Sequence, residues 1–207
     1  MKDSSLLENP GGEKKILLHC CCAPCSGSII RSMIDQGLDV TVFFYNPNIY
    51  PRAEYEHRKS EVVRYVQKAR VPFVDADYDD DRWLEMTRGH EEESERGPRC
   101  SLCFEMRLRR TAAYAAKEGF RVFTTSLGIS RWKDLEQVTR AGKRAAGLFP
   151  GTVYWEHNWR LQGGTEQMER IAREENFYRQ RYCGCLYSLR ESIKRSLSKL
   201  SDVQRTS

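Results

Sequence analysis

The feature that most restricts this chain is Ile16 to Ser28, read as Ile-Leu-Leu-His-Cys-Cys-Cys-Ala-Pro-Cys-Ser-Gly-Ser. An apolar run of strand type stops at His19, four cysteines arrive within six positions (Cys20, Cys21, Cys22, Cys25), and Pro24 with Ser26 supplies helix-start chemistry for the amphipathic segment Ile29 to Gln36. The thiols therefore sit at a strand-to-helix turn. In an open parallel sheet such a turn lies at the carboxyl edge, where ligands bind, and the partial positive charge of a helix N-terminus favours thiolate over thiol. Thiolates there are ligands or nucleophiles. The alternative, cysteines as small buried apolar residues, suits a single cysteine better than four in one loop.

The rest of the chain repeats the strand-helix alternation. Gly37 ends the first helix, Val40 to Tyr45 reads as a second buried strand, and Arg52 to Ala69 as a long helix with an apolar stripe at Tyr55, Val62, Val63 and Val66. Val71 to Asp75 is a short third strand. The acidic run Asp75 to Asp81 leads into a short helix around Trp83 and Met86 and reads mainly as a solvated turn and cap, with a metal role as its rival. After a polar loop, Gly89 to Arg99, come a helix from about Ser101 to Lys117, a strand Arg121 to Thr125, a helix Leu135 to Ala146, a strand Val153 to Trp155, and helices around Met168 and Leu189. Alternation of this kind predicts an α/β fold, a mostly parallel sheet with helices on both faces and right-handed crossovers. Length suits one domain over 15–198, between flexible tails at 1–14 and 199–207.

Residues 1–14 lack the apolar core of a signal peptide, and no apolar run reaches membrane-spanning length, so a cytoplasmic protein without membrane contact is expected. In that reducing compartment eight cysteines, clustered as 20/21/22/25, 100/103 and 183/185, point to metal or redox use and not to a disulfide framework. Charge is unevenly spread. Residues 1–95 carry 12 Lys/Arg against 18 Asp/Glu, a net of −6, and residues 96–207 carry 22 against 11, a net of +11. The basic half, with Arg107, Arg109, Arg110, Arg131, Lys133, Lys143, Arg144, Arg179, Arg181, Lys194 and Arg195 interleaved with Trp132, Trp155, Trp159, Tyr178 and Tyr182, suits phosphates and unstacked bases; ordinary solvated helix faces are the alternative.

The other cysteine groups differ in kind. Cys100-Ser-Leu-Cys103 enters a helix just after Gly97 and Pro98, which puts two sulfurs within one helical turn, able to share a metal or cluster or to form a redox disulfide. Two thiolates from each loop would make the four of a tetrahedral zinc or a [4Fe–4S] cluster. Cys183-Gly184-Cys185 can close only a small, strained and easily reduced ring, which suits redox work; two further ligands to a second metal are the rival role.

Five blocks in order, Leu17 to Cys25, Tyr45 to Pro51 with Glu54 and Tyr55, Arg99 to Cys103, Thr124 to Ser130, and Tyr178 to Cys185, resemble the cobalamin-independent epoxyqueuosine reductases, the QueH family, over about Lys15 to Ser188. The resemblance implies an adenine nucleotide α-hydrolase-like, Rossmann-like fold and the two-electron reduction of epoxyqueuosine to queuosine at the wobble position of tRNAs with GUN anticodons, fed by an external electron donor. It also implies a [4Fe–4S] cluster on Cys21, Cys22, Cys100 and Cys103, with Cys20 dispensable. A second iron is expected nearby, with Cys25 as its candidate ligand, and Cys183 and Cys185 match the family's redox pair.

Removing an epoxide oxygen to leave an alkene takes two electrons and two protons, which calls for a cluster, an iron, a thiol pair or a combination. His19, Lys133 and Asp134 are the nearest proton donors by motif position, though His19 could equally be a ring bonded at the strand end. Asn46, Asn48, Lys133, Arg179 and Gln180 are candidates for substrate contacts. Two other classes stay in view: an ATP-dependent tRNA-modifying enzyme of the same fold type, for which the thiol-crowded turn offers only Gly27, and a zinc-stabilised RNA-binding module without catalysis.

Overall fold

The structure is a computed structural model that describes residues 7–76 and 78–206, with side chains to Ser198. Five strands form one wholly parallel sheet in the order β3-β2-β1-β4-β5: β1 Lys15–His19, β2 Asp39–Phe44, β3 Phe73–Asp75, β4 Val122–Thr125 and β5 Val153–Tyr154. β1 is central, and Ile16, Leu17, Leu18 and His19 are all fully buried, as a strand covered on both faces must be. It is in register with β2 from Lys15↔Asp39 to His19↔Phe43, and with β4 from Ile16↔Val122 to His19↔Thr125.

The helices are α1 Ala23–Asp35, α2 Arg52–Ala69, α3 Asp80–Met86, α4 Pro98–Lys117, α5 Leu135–Gly147, α6 Gly164–Glu174 and α7 Leu186–Thr206. Six of them sort into two packed groups, α1 with α2 and α6, and α4 with α3 and α5. Right-handed crossovers explain the division. The chain moves outward through β1, β2 and β3 and then returns to build β4 and β5 on the other side of β1, so the later crossover helix falls on the opposite face. That reversal leaves a crevice at the carboxyl ends of β1 and β4.

Element positions follow the sequence reading closely, and the shifts have local causes. Helix α4 starts at Pro98 with Gly97 as its cap, so Cys100 and Cys103 lie inside its first two turns. β3 begins only at Phe73, because Val71 donates its N–H back to the Val66 carbonyl and Arg70 (φ 56°) closes α2 in the left-handed region. Acids of the run after β3 serve structure: Asp75 pairs with Lys59 at 3.2 Å, Asp79 accepts from the Tyr45 hydroxyl at 2.9 Å, and Asp80 and Asp81 occupy the first turn of α3. Of the expected N-terminal tail, residues 1–6 lie outside the described residues. Over 7–14 the chain is tied down, with Leu7 N–H donating to Gln36 Oε1 at 2.6 Å and Glu13 paired with Arg121 at 2.8 Å. At the other end the backbone is helical to Thr206. Among the described residues no helix is long and apolar enough to cross a membrane.

The sheet's last strand is held by one close approach. A Cβ built on Gly142 of α5 would lie 2.5 Å from the Tyr154 ring of β5, while one on Gly147 would meet nothing within 4 Å. Gly142→Ala should therefore cost about 1–3 kcal/mol in chemical denaturation, and Gly147→Ala, at an exposed helix end, should change stability by less than about 1 kcal/mol. Equal effects at both sites would contradict this packing.

Candidate metal and redox centre

The first-turn thiols lie at the carboxyl end of β1, beside the loop that follows β4. Beyond His19 the Cys20 N–H still pairs with the Phe43 carbonyl at 2.9 Å, then Cys22 takes an extended conformation (φ −173°) as the residue before α1. Cys25 follows one helical turn later on the same side. The three sulfurs of Cys21, Cys22 and Cys25 consequently lie within 4.8 Å of one another, all buried. The loop after β4 closes the group from the other side: the Cys21 N–H donates to Ser126 Oγ at 3.2 Å, and Ser126 Oγ is 3.4 Å from Cys21 Sγ. Cys20 stands apart, with its sulfur 2.9 Å from Ser26 Oγ.

Cys100 and Cys103 stand in the first turns of α4. Cys100 Sγ accepts from the Arg96 N–H at 3.3 Å, and Cys103 is buried against Trp83 and Tyr187, with Cys185 packed on the same cluster. The Cys183-Gly184-Cys185 turn is fastened from outside. Arg58 of α2 is 3% exposed, donates to Glu54 at 2.8 Å, and reaches across to the carbonyls of Cys183 at 3.0 Å and Tyr182 at 3.2 Å. Tyr50 N–H donates to the Gly184 carbonyl at 2.8 Å, and Tyr182 O–H donates to the Tyr50 carbonyl. Gly184 has φ 136°, and a Cβ there would sit 3.1 Å from the Arg58 guanidinium and 3.3 Å from the Asn48 amide, so only glycine fits both the conformation and the space. All eight cysteines are free.

Electrostatics suit a soft, electron-rich occupant. The Cys21 thiol is drawn well below its ordinary range by hydrogen bonds from Cys22 and Cys25, which outweigh burial, with Lys133 and Arg107 adding to the effect. Cys22, as a donor to Cys21, is pushed up to about 11, and Cys25 is raised for the same reason. Burial pushes Cys100 to about 12. Lys133 shows the reverse. Burial opposes its charge, but Cys183, Cys21, Cys25 and Cys22 more than compensate and raise its pKa, so the ammonium keeps its proton. Three convergent sulfurs from one turn, further thiols from two other loops and buried cations around them fit an iron or iron–sulfur group.

Comparison with known proteins gives this arrangement its family. The family model described as epoxyqueuosine reductase QueH matches residues 16–191. The chain is 51% identical over 188 residues to the epoxyqueuosine reductase QueH of Haemophilus influenzae, covering 91% of this chain and 77% of that protein. With the Acinetobacter baylyi protein of the same name the figure is 49% over 196 residues, covering 95% and 90%, and with that of Thermotoga maritima it is 32% over 179 residues, covering 85% and 91%. This chain belongs to the QueH family.

Within this QueH chain the residues singled out from the sequence fall into distinct places. His19 is fully buried; its Nε2 donates to the Tyr45 carbonyl at 3.1 Å, so Nδ1 accepts from Thr125 Oγ1 at 2.8 Å. Burial, and then the charge of Arg107, lower its pKa to about 3, which makes it a neutral tie between strand ends. Asp134 caps α5 by accepting from Gln137 N–H at 2.9 Å. Asn46 has both ends of its amide engaged, donating to the Cys20 carbonyl at 3.0 Å and accepting from Arg107. Gln180 donates to Cys22 Sγ at 2.9 Å and leaves its oxygen unpartnered, and Asn48 Oδ1 is likewise buried without a partner. Arg179 pairs with Glu169 on the surface at 2.7 Å. Gly27, the glycine available for a phosphate cradle, instead packs on Phe177: a Cβ there would lie 2.8 Å from the ring.

Of the basic half, read as either a polyanion surface or ordinary helix faces, several residues are paired or buried. Arg107 is 2% exposed and works inside the site, Trp155 and Trp159 are core residues, and Lys143, Arg144 and Lys194 have acidic partners in Glu156, Glu105 and Glu191. Linear charge counting cannot see such pairs. Arg58 was also invisible in the sequence, where it shows only as a common i,i+4 partner of Glu54.

Because the Arg58–Glu54 pair is buried, Arg58→Gln should cost about 3–5 kcal/mol in urea denaturation and expose Cys183 and Cys185 to faster alkylation. Arg58→Lys, which keeps the charge but not the two-pronged reach, should lie between. Unchanged labelling of both cysteines in Arg58→Gln would mean that the arginine does not hold the turn.

Proposed function

We propose that this chain is an epoxyqueuosine reductase that acts in the cytoplasm on tRNAs with GUN anticodons, taking electrons from an external donor. The observation that carries the reading is the buried Cys21–Cys22–Cys25 group at the carboxyl end of β1 in a QueH-family chain, with Cys103 and Cys185 packed in a second cluster against Trp83 and Tyr187. The reaction balances as epoxide plus two electrons and two protons giving alkene and water.

In this reading Cys21, Cys22, Cys100 and Cys103 hold a [4Fe–4S] cluster, and Cys25 contributes to a second iron. Such a group, when bound, supplies electrons one at a time and Lewis acidity toward the epoxide oxygen. The chain's own residues do the rest. Lys133 holds a proton at Nζ beside the thiols, where an oxygen developing negative charge would need it. The unpartnered oxygens of Gln180 and Asn48 offer acceptors to the modified base, while Arg179 serves the surrounding nucleotides. Asn46 and Arg107 fix the Cys20 carbonyl, and with it the start of the thiol turn. Cys183 and Cys185 act as a dithiol whose oxidation to a disulfide releases two electrons and two protons, the amount one turnover consumes. Tyr50, Arg58 and Ser188 hold the backbone of that pair while its sulfurs change state.

Anaerobically prepared protein should be brown and hold about four iron and four sulfide in the cluster, plus additional iron. Serine at Cys21, Cys22, Cys100 or Cys103 should remove cluster iron and activity together, while Cys20→Ser should keep both. Loss of the cluster in Cys20→Ser with its retention in Cys22→Ser would overturn the ligand assignment.

The double variant Cys183→Ser, Cys185→Ser should fold, keep its cluster and bind tRNA, yet lose reduction. In the unaltered protein, a single turnover without external donor should protect two thiols per chain from alkylation. Release of iron by the double variant, with no disulfide ever trapped, would make the pair metal ligands instead.

A further inference from the structure

The loop between β4 and α5 turns neighbouring residues to opposite uses. Lys133 is half-buried and has its charge favoured by the thiols, whereas Trp132 is 67% exposed, the largest value among the large apolar side chains that stand out on the described surface. On a mobile loop that would mean little, but this backbone is fixed. Arg96 donates to the carbonyls of Trp132 at 3.0 Å and Arg131 at 3.2 Å. From the other side, Arg160 donates to the carbonyls of Gly128 at 2.8 Å, Ser130 at 2.6 Å and Lys133 at 2.8 Å. All of these bonds go to carbonyls, so the fixed backbone holds the indole outward without using it. Arg131 lies over the ring with its guanidinium carbon 4.9 Å from the centroid. Trp83, Trp155 and Trp159 are all buried.

We infer that Trp132, with Arg131 stacked on it, is a platform for one unpaired nucleobase of the anticodon loop, adjacent to the modified nucleotide. The inference rests on the function proposed above and adds the contact that seats the loop. A nucleotide whose base enters the thiol crevice must leave its stack, and the neighbour that loses its stacking partner gains one in the indole. Every base has a π face, so the contact tolerates sequence, and a ring on a pinned backbone gives up little freedom on binding. Arg131 supplies the cation for the adjoining phosphate. A protein partner would need a wider apolar patch, whereas the ring carries the Arg131 guanidinium over one face.

The test uses the anaerobic holoprotein and a labelled anticodon stem-loop, with affinity read by fluorescence anisotropy across a salt series. Trp132→Ala should weaken binding about thirty-fold, near the middle of what base–aromatic stacking contributes, without changing the salt slope; Trp132→Tyr should stay within about three-fold of the parent. Arg131→Ala should flatten the salt slope by about one. Abasic substitution at the nucleotide that stacks should cost as much as Trp132→Ala and cost nothing more in combination with it. Parent protein that binds the stem-loop no better than Trp132→Ala overturns the platform alone. An altered oligomeric state in Trp132→Ala with RNA affinity intact assigns the ring to a second copy and also overturns it. Parent protein that neither binds the stem-loop nor reduces its epoxide brings down the functional reading and the platform together.

Discussion

Parallel pairing of β1 with β4 is the constraint on which the site depends. Because the chain builds β2 and β3 on one side of β1 and β4 on the other, two loops far apart in sequence leave the sheet side by side. One loop carries the first-turn thiols and the other carries Ser126, Trp132 and Lys133. The Cys21–Ser126 hydrogen bond, the His19–Thr125 bond and the electrostatic pull of Lys133 on Cys21 all follow from that single adjacency.

The second organising fact is mutual compensation of buried charge. A thiolate, a guanidinium or an ammonium is costly to bury alone. Here Arg58, Arg107 and Lys133 are placed against groups that turn negative, and each cation also bonds or faces a specific partner: Glu54 for Arg58, Asn46 for Arg107, and the thiols themselves for Lys133. The same distribution separates the cysteines by role. Cys21 gains its anionic character from its sulfur neighbours, whereas Cys20, facing Ser26 across a buried contact, has its pKa raised by burial.

Binding surface and chemical site meet in the β4–α5 loop. Arg96 takes part in both, since its N–H donates to Cys100 Sγ while its guanidinium holds the Arg131 and Trp132 carbonyls. It adopts φ 70° to do so, a left-handed conformation uncommon outside glycine. Cys100 and the backbone that carries the exposed indole are thus tied through one residue.

The sequence by itself determined the alternation of elements, because a buried parallel strand and an amphipathic helix differ in period and in their end signals: the limits Arg52 to Ala69 and the break at His19 were legible from local chemistry alone. Motif order likewise pointed to the family that the comparisons support. Only the tertiary structure decided what each polar residue does. Asn46, a candidate substrate contact in the chain, has both ends of its amide bonded inside the protein; His19 takes the second of its two readings, a ring bonded at the strand end; Arg107 counts as surface charge and is buried; Arg58 looks like half of a common helix pair and holds the Cys-Gly-Cys turn 125 residues away. Periodicity reports which face of an element is covered, but a side chain's partner depends on which loops the strand order brings together. That order arises from long-range pairing, which no local window contains.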